Sequence, residues 1–188
     1  MIEAVPIRPT KADLEAARDK PIKDVIAPDL DVLFCGINPG LYSGATGNHF
    51  AKPGNRFWPA LHASGFTDRL LHPSEKHELL DQGLGITNLV NRTTARADEL
   101  SREELEKGAR ALRRKVLRNR PKFLAVLGLS AFRTAFGRPG SGTGPQEKAI
   151  GDTRVWLLPN PSGLNAHYQL PDLAKLFGDL RRAAGENK

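Results

Sequence analysis

Residues 31–58 read DVLFCGINPGLYSGATGNHFAKPGNRFW and carry the clearest structural signal in the chain. This stretch opens with a short apolar run from Val32 to Cys35, and the segment from Gly36 to Gly40 then breaks that run. An apolar run that ends in a tight turn is typical of a buried strand that brings a polar residue, here Asn38, to the edge of a sheet. Open α/β sheets bind ligands beyond the carboxyl ends of their strands, so Asn38 lies where such a fold places its chemistry.

Outward from this stretch, strands and helices alternate along the chain. The first strand is predicted at residues 31–37, and three more are predicted at 86–90, 123–128 and 154–158. A glycine-rich loop is predicted after Gly40, a helix over 73–80, and a longer helix after Ser101, which can form a capping box with Glu104. The pattern predicts an α/β fold, a single three-layer domain with a mainly parallel central sheet of about four strands flanked by helices.

The length of 188 residues suits one domain with a proper core. Residues 1–23 mix Pro, Lys, Asp and Ala and are expected to form a loosely packed N-terminal extension with a weak helical tendency. The domain is expected to span residues 24–184, with a short tail at 185–188.

The charge of the chain indicates a polyanionic partner. The formal net charge is +7 and the sequence pI is about 9.8. No acidic residue occurs between Lys107 and Gln146, so much of the positive charge comes from one stretch. This balance favours nucleic acid as the partner over a basic surface that is merely solvated.

A single cysteine, Cys35, excludes a disulfide framework, a cysteine-rich zinc site and an iron–sulfur cluster held by cysteines. Its place within an apolar run predicts a small core residue rather than a nucleophile. No metal or other cofactor is expected. The chain also lacks an apolar run of membrane-spanning length and an N-terminal signal core, so a cytoplasmic location is expected.

Three ordered motifs carry a family resemblance. They are GINPGL with GNRFW at residues 36–41 and 54–58, GITNLVNRTT at 85–94, and LPNPSGL at 158–164. Together they resemble the mismatch-specific uracil/thymine-DNA glycosylases over residues 26–183. The resemblance implies a monomeric, monofunctional enzyme with a uracil-DNA glycosylase-like fold. Its substrate would be double-stranded DNA, in which it would hydrolyse the N-glycosidic bond of uracil mispaired with guanine, with thymine and ethenocytosine as candidate further substrates.

The resemblance also implies roles for individual residues in the base pocket. Asn38 stands where the classical uracil glycosylases have an aspartate, and its side-chain carbonyl would orient the attacking water. Gly40 stands where those enzymes have a tyrosine that narrows the pocket, Phe50 would stack on the extruded base, and Asn88 would read its edge. Backbone N–H groups would stabilise the departing base. The implied substrate-binding set is Ile37, Gly40, Ser43, His49, Phe50 and Asn88.

The last motif is implied to contact DNA. Gly163 and Leu164 match the wedge that fills the gap left by the extruded nucleotide, while Asn160 and Ser162 would grip phosphate. The sequence departs from the bacterial pattern after Leu164, where the expected arginine is missing and His167 is a candidate substitute. Asn91 likewise stands at a position that is acidic in the family.

Other readings of the same residues stay open. Asn38 before a proline can be a turn residue, Phe50 can be ordinary core, Gly40 can be present only for its backbone angles, and Asn88 can simply cap a strand. The whole chain can be a non-catalytic protein that binds DNA lesions. A third reading, a nucleotide-phosphate loop at Gly36–Gly40, lacks the usual glycine and lysine spacing.

Overall fold

The computed structural model describes residues 8–185, which form a sheet covered by helices on both faces. The strands are β1 (Val32–Gly36), β2 (Leu84–Asn88), β3 (Phe123–Leu127), β4 (Gly144–Pro145) and β5 (Arg154–Leu158). Their order in the sheet is β2-β1-β3-β5-β4. All are parallel except β4, which pairs antiparallel with β5. The mainly parallel sheet is therefore confirmed, with one short antiparallel edge strand that the sequence pattern did not indicate.

The helices form the two outer layers. They are α1 (Lys11–Ala16), α2 (Leu41–Thr46), α3 (Phe57–Ala63), α4 (Glu78–Asp81), α5 (Arg102–Asn119), α6 (Leu129–Phe136) and α7 (Leu170–Gly185). Apolar residues of α3, α4 and α7 share one core cluster with one face of the sheet. Those of α5 and α6 share a second cluster with the other face.

Strand β1 shows how both faces are filled. Val32 and Phe34 point into the α3/α7 cluster, whereas Leu33 and Cys35 point into the α5/α6 cluster. A strand buried on both faces reads as a continuous apolar run, which explains its strong signal in the sequence. Burial raises the pKa of the Cys35 thiol to about 12, so Cys35 is the unreactive core residue that was predicted.

The longest helix begins at the predicted capping box. The Ser101 hydroxyl accepts a hydrogen bond from the Glu104 backbone N–H, and the Glu104 carboxylate accepts one from the Ser101 N–H. This reciprocal pair satisfies two of the free donors at the start of α5. Arg120 then adopts a left-handed conformation at the end of the helix, directly before Pro121.

Three local predictions were wrong. The segment after Gly40 was predicted as a loop but forms α2, whose first turn is closed by a bond from the Gly44 N–H to the Gly40 carbonyl. The helix predicted over 73–80 is instead a 3-10 turn at Pro73–Glu75 followed by α4. Strand β2 begins and ends two residues earlier than predicted because its pairing with β1 fixes its position, which apolar content does not.

The prediction that the N-terminal extension packs loosely was wrong for residues 8–23; residues 1–7 lie outside the described part. Ala17 and Ile22 are buried. The Asn91 side chain exchanges two hydrogen bonds with the backbone of Ile22, at 3.0 and 2.9 Å. The Thr93 hydroxyl donates to the Lys20 carbonyl at 2.6 Å. This segment is therefore held against the 91–94 loop.

The sheet topology fixes where a crevice forms. The chain passes from β1 to β2 on one side of it and then to β3 on the other, so the connections leave β1 in opposite directions. Open α/β sheets bind ligands at such a switch point, beyond the carboxyl ends of the strands.

Within residues 8–185, no helix combines the length and apolar character needed to cross a bilayer.

Candidate active site

A cavity of about 540 Å³ opens at the carboxyl edge of the sheet. It is lined by residues at or after the ends of four strands, including Asn38, Asn88, Leu127 and Asn160. Every residue predicted from the sequence to act on the base or the DNA lines it, except Gly163, which lies in the adjoining loop. That set is Ile37, Asn38, Gly40, Ser43, His49, Phe50, Asn88, Asn160, Ser162 and Leu164.

The Asn38 amide is held in one orientation. Its Nδ2 donates to the Arg92 carbonyl at 2.8 Å and to the Thr94 hydroxyl oxygen at 2.7 Å. The Thr94 hydroxyl in turn donates to the Arg96 carbonyl at 2.7 Å. Because that proton is already used, the hydroxyl can only accept from Asn38. The NH2 group therefore faces the loop at residues 92–94.

The opposite atom of the amide, Oδ1, is left for a ligand. It accepts no hydrogen bond within residues 8–185. Every fully buried polar side-chain atom in this range has a hydrogen-bond partner, so an atom without one is exposed. Oδ1 is therefore accessible, and Asn38 lines the cavity. A fixed, accessible carbonyl oxygen can accept a hydrogen bond from one water molecule and set its position. Sequence reasoning assigned no role to Thr94, although it lies within a quoted motif.

The loop that holds Asn38 is itself braced by charge. Arg92 contacts both oxygens of Glu104, at 2.7 and 3.2 Å, and also binds Asp19 at 2.8 Å. Hydrogen bonds from Arg92 and from the Ser101 N–H lower the pKa of Glu104 to about 2. The carboxylate that caps α5 thus also fixes the loop behind Asn38, and it stays ionised throughout the neutral range.

His49 is buried on the floor of the cavity as a neutral imidazole. Its Nε2 lies 2.9 Å from the Lys23 carbonyl, which can only accept, so Nε2 carries the proton. Burial lowers the pKa of His49. The remaining ring nitrogen, Nδ1, is then an acceptor, and it faces Asn88 Nδ2 at 3.5 Å.

The neutral His49 ring sets the orientation of Asn88. Because Nδ1 accepts, the NH2 group of Asn88 points to the ring and Oδ1 is the atom left for a ligand. Asn88 is 7% exposed and lines the cavity. The predicted base-reading residue therefore offers an acceptor to the cavity.

The end of β2 is fixed from behind by a charged network. Lys115 Nζ contacts Asp24 at 2.5 Å and the Thr87 hydroxyl at 2.8 Å, and that hydroxyl donates to Asp24 at 2.8 Å. Lys115 belongs to the stretch between Lys107 and Gln146 that lacks acidic residues, but its side chain is only 31% exposed. It is a structural residue that holds the strand next to Asn88.

Phe50 lies between the core and the cavity. Its ring stacks on Phe57 with a centroid distance of 4.2 Å and an interplanar angle of 24°. It also lines the cavity, so the core and the stacking readings of this residue are compatible. Its φ of 53° is uncommon for a residue with a side chain, and such strain is found at ligand sites. The Ser43 hydroxyl oxygen accepts from the Ala51 N–H at 3.2 Å and holds the end of this segment.

Gly40 does not need to be glycine for conformational reasons. Its φ of −78° and ψ of 166° are open to any residue. A Cβ atom built there would meet nothing within 4 Å. The reading of Gly40 as a backbone device is therefore wrong, and the glycine leaves open space at the mouth of the cavity. Backbone donors are also free nearby, since the N–H groups of Asn38, His49 and Phe50 make no hydrogen bond within the described residues.

The loop at residues 160–168 carries the predicted wedge, with Leu164 82% exposed. Asn160 Oδ1 accepts from the Ser162 N–H at 3.0 Å, and the Ser162 hydroxyl oxygen accepts from the Leu164 N–H at 3.2 Å. These bonds use acceptors only. The Asn160 NH2 and Ser162 O–H donors have no partner among residues 8–185, and phosphate needs donors. A Cβ at Gly163 would lie 2.6 Å from the Gly54 carbonyl oxygen, so this glycine permits close packing.

Arg56 holds the wedge loop from below. Its Nη1 donates to the carbonyls of Asn165 and Tyr168 at 2.9 and 3.0 Å and to that of Ser162 at 3.3 Å, while Nη2 reaches Gly163 at 3.3 Å. Its backbone N–H also bonds the Pro161 carbonyl at 2.9 Å. One guanidinium thus binds four carbonyls of a single loop. Sequence reasoning quoted Arg56 within a motif but gave it no role.

Two lysines near the cavity were also missed. Lys52 lies exposed on the rim, where a cation can meet a phosphate. Lys76 bonds the Gly47 carbonyl and, at 2.8 Å, the Asn48 side chain, which fixes the segment leading to His49.

Within the described range, no group of three or more His, Cys, Asp or Glu residues is placed to hold a metal ion.

Comparisons with known proteins agree with this architecture. Residues 23–181 match the model of the uracil DNA glycosylase superfamily. The chain is also similar to a solution NMR structure from Methanosarcina acetivorans, a protein provisionally assigned as a uracil DNA glycosylase, with a TM-score of 0.57 and 18% identity. The match covers 87% of this chain and 98% of that one, and at this identity it shows the shared fold. The predicted uracil-DNA glycosylase-like fold is confirmed, and the chain belongs to the uracil DNA glycosylase superfamily.

Proposed function

We propose that this protein is a monofunctional DNA glycosylase that removes uracil mispaired with guanine, and that it also accepts thymine. The observation that carries the proposal is the orientation of Asn38. Its amide nitrogen is fully engaged with the 92–94 loop, and its oxygen is free at the cavity. Such a group is suited to placing water rather than to binding a base edge.

The proposed reaction is a hydrolysis without a covalent enzyme intermediate. The C1′–N1 bond breaks first, and its electron pair leaves with the base as an anion. Water held by Asn38 Oδ1 then forms the new bond to C1′ and loses a proton to solvent, and the base anion takes up a proton from solvent, which leaves an abasic site and the free base. An amide cannot deprotonate water, so its contribution is position, which suits a bond that breaks before the nucleophile arrives. The free N–H groups of His49 and Phe50 are the candidate donors to the departing base.

The acceptor at Asn88 supports uracil and thymine over cytosine. Both bases carry an N–H at N3, whereas cytosine has an acceptor there, so Oδ1 would bond the first two and repel the third. The open space at Gly40 supports thymine as well as uracil, because a Cβ built there would meet nothing within 4 Å and glycine leaves room for a methyl group on the C5 edge. Leu164 would fill the gap in the stack, and His167 beside it is the candidate contact to the opposite guanine.

Single-turnover incubation with a U·G duplex, followed by alkaline cleavage of abasic sites, tests the function. We expect cleavage at the uracil, and parallel duplexes with T·G and ethenocytosine·G report the substrate range. If the protein binds these duplexes but yields no abasic sites, it is the non-catalytic lesion binder of the alternative reading. Absence of both binding and cleavage would contradict either reading.

The Asn88→Ala substitution is expected to slow uracil excision about 10-fold, because it removes one aimed hydrogen bond worth about 1.4 kcal/mol. It should also reduce the preference for uracil over cytosine, since the repulsive acceptor is lost. Asn119→Ala serves as the matched control because Asn119 lies at the far end of α5 and its side chain hydrogen-bonds only the Lys115 carbonyl. Unchanged excision and base preference in Asn88→Ala would refute the base-reading role.

DNA affinity is expected to fall steeply with salt. Each phosphate that the protein neutralises contributes about 0.9 to the slope of log affinity against log salt concentration. Titration of a labelled U·G duplex at several KCl concentrations measures the slope, and an unmodified duplex gives the sequence-independent part. A flat response would contradict DNA as the partner of this basic chain.

A further inference from the structure

A second cavity lies between α5 and α6, away from the carboxyl edge of the sheet. It measures about 340 Å³, within the range of cavities that bind ligands. Its floor is apolar: Phe132 and Phe136 stack with centroids 4.6 Å apart, and aliphatic side chains complete it. The buried aliphatic lining residues are Ala109, Ala135, Ile150 and Val155.

Four cations surround this apolar floor. They are Arg110 and Arg113 on successive turns of α5, Arg138 after α6, and Lys148 on the loop before β5. None of these side chains makes a hydrogen bond or an ion pair within residues 8–185, whereas the one lining carboxylate, Glu106, is paired with Arg102 at 2.9 Å. This cavity and the four cations around it form a groove. The groove has a strong positive charge that nothing in the described chain neutralises.

The position of the groove separates it from the proposed DNA site. Helix α6 starts at the carboxyl end of β3 and runs back for eight residues, about 12 Å at 1.5 Å per residue, before it reaches Phe136 and Gly137. Val155, which lines the groove, is the second residue of β5, at its amino end. The groove thus opens near the other edge of the sheet, while Leu164 lies at the carboxyl edge.

We propose that this groove binds an acidic peptide segment of a partner protein, with one large apolar side chain in the cavity and flanking carboxylates on the four cations. Charge complementarity selects an acidic occupant. The floor selects a peptide over a nucleic-acid strand, because a nucleobase has polar edges that need partners, and Thr134 is the one neutral polar side chain among the lining residues. A hydrocarbon or phenyl group has no such need.

The probe is a fluorescein-labelled peptide, Asp-Asp-Phe-Asp-Asp, titrated with the full chain and followed by fluorescence anisotropy. A peptide with Ser in place of Phe keeps the charge, and a peptide with Asn in place of Asp keeps the ring. The double variant R110Q/R113Q removes two rim cations. Its matched control, R114Q/R118Q, removes the same charge from exposed positions of α5 that do not line the cavity. Thermal unfolding checks that both variants remain folded.

We expect R110Q/R113Q to weaken binding of the Phe peptide at least about 10-fold and the control to change it less than about 2-fold, because only the first pair faces the carboxylates. Both altered peptides should bind at least about 10-fold more weakly than the parent. In the cavity itself, Ala149→Trp at an exposed lining position should compete with the Phe ring and lower affinity. Equal losses in the two double variants, undiminished binding of the Ser peptide, or tighter binding of an eight-nucleotide oligo(dT) would overturn the proposal.

Discussion

Asn38→Ala is expected to slow uracil excision from a U·G duplex at least about 100-fold, equivalent to about 2.7 kcal/mol of barrier, while duplex affinity stays nearly unchanged. The reason is that Asn38 Oδ1 would act on water only as the sugar carbon becomes electron-poor, so its loss falls on the transition state. Single-turnover rates at saturating protein and dissociation constants from anisotropy separate the two quantities. Equal losses of rate and affinity would show that Asn38 only shapes the turn.

The Thr94 hydroxyl offers a graded check on the same mechanism. Thr94→Val preserves the shape of the side chain but removes the acceptor that fixes the Asn38 amide at 2.7 Å. We expect a loss of about 5-fold in the excision rate, since one positioning hydrogen bond is worth about 1 kcal/mol. Thr94→Ser keeps the hydroxyl and is the matched control. If Val and Ser give the same rate, Thr94 does not act through Asn38.

Arg56→Met is expected to lower the free energy of unfolding by about 2 kcal/mol and to weaken duplex binding about 30-fold. Its guanidinium binds four carbonyls of the loop that presents Leu164. Without it, those carbonyls lose a charged donor and the loop must be ordered when DNA binds. Urea unfolding measures the first effect. Titration of a duplex with 2-aminopurine beside the uracil measures the loss of duplex binding, and the same fluorescence reports extrusion of the base.

Two further variants separate geometry from charge in the Arg56 experiment. Arg56→Lys keeps the charge but lacks the planar fork, so it should recover only part of the affinity. Arg118→Met removes a charge of the same sign from an exposed position on α5 and should cost little beyond the general electrostatic loss. If Arg118→Met weakens base extrusion as much as Arg56→Met, the clamp contributes nothing specific.

The fold was largely predictable because its strands are buried on both faces. Strand β3 and strand β5 matched their apolar runs closely, and the capping box at Ser101 located the start of α5. The predictions failed where local pattern does not decide structure. Strand β2 is placed by its pairing, and α2 forms in a glycine-containing stretch with no apolar periodicity. Both depend on neighbours that are distant in sequence.

The sequence was enough to predict which residues line the candidate site, but not which contacts hold them in place. The motif residues meet in one cavity because they follow the ends of parallel strands. The supporting contacts were not foreseeable: Lys23 fixes the tautomer of His49 through a backbone carbonyl, and Lys115 contacts Thr87 from 28 positions away. Only the folded structure shows which residues are such partners. Lysine and arginine are common on the surface of a basic chain, so the sequence does not distinguish a supporting lysine or arginine from an ordinary surface residue.

The open space beside Gly40 has a consequence for how this protein can change during evolution. Since the backbone there suits any amino acid and an added Cβ would meet no atom within 4 Å, a residue with a side chain can replace the glycine without backbone strain. Under the proposed function, the residue at this position would decide how many kinds of damaged base the protein accepts. A substitution there would change that range while Asn38 and the residues that hold it stay in place.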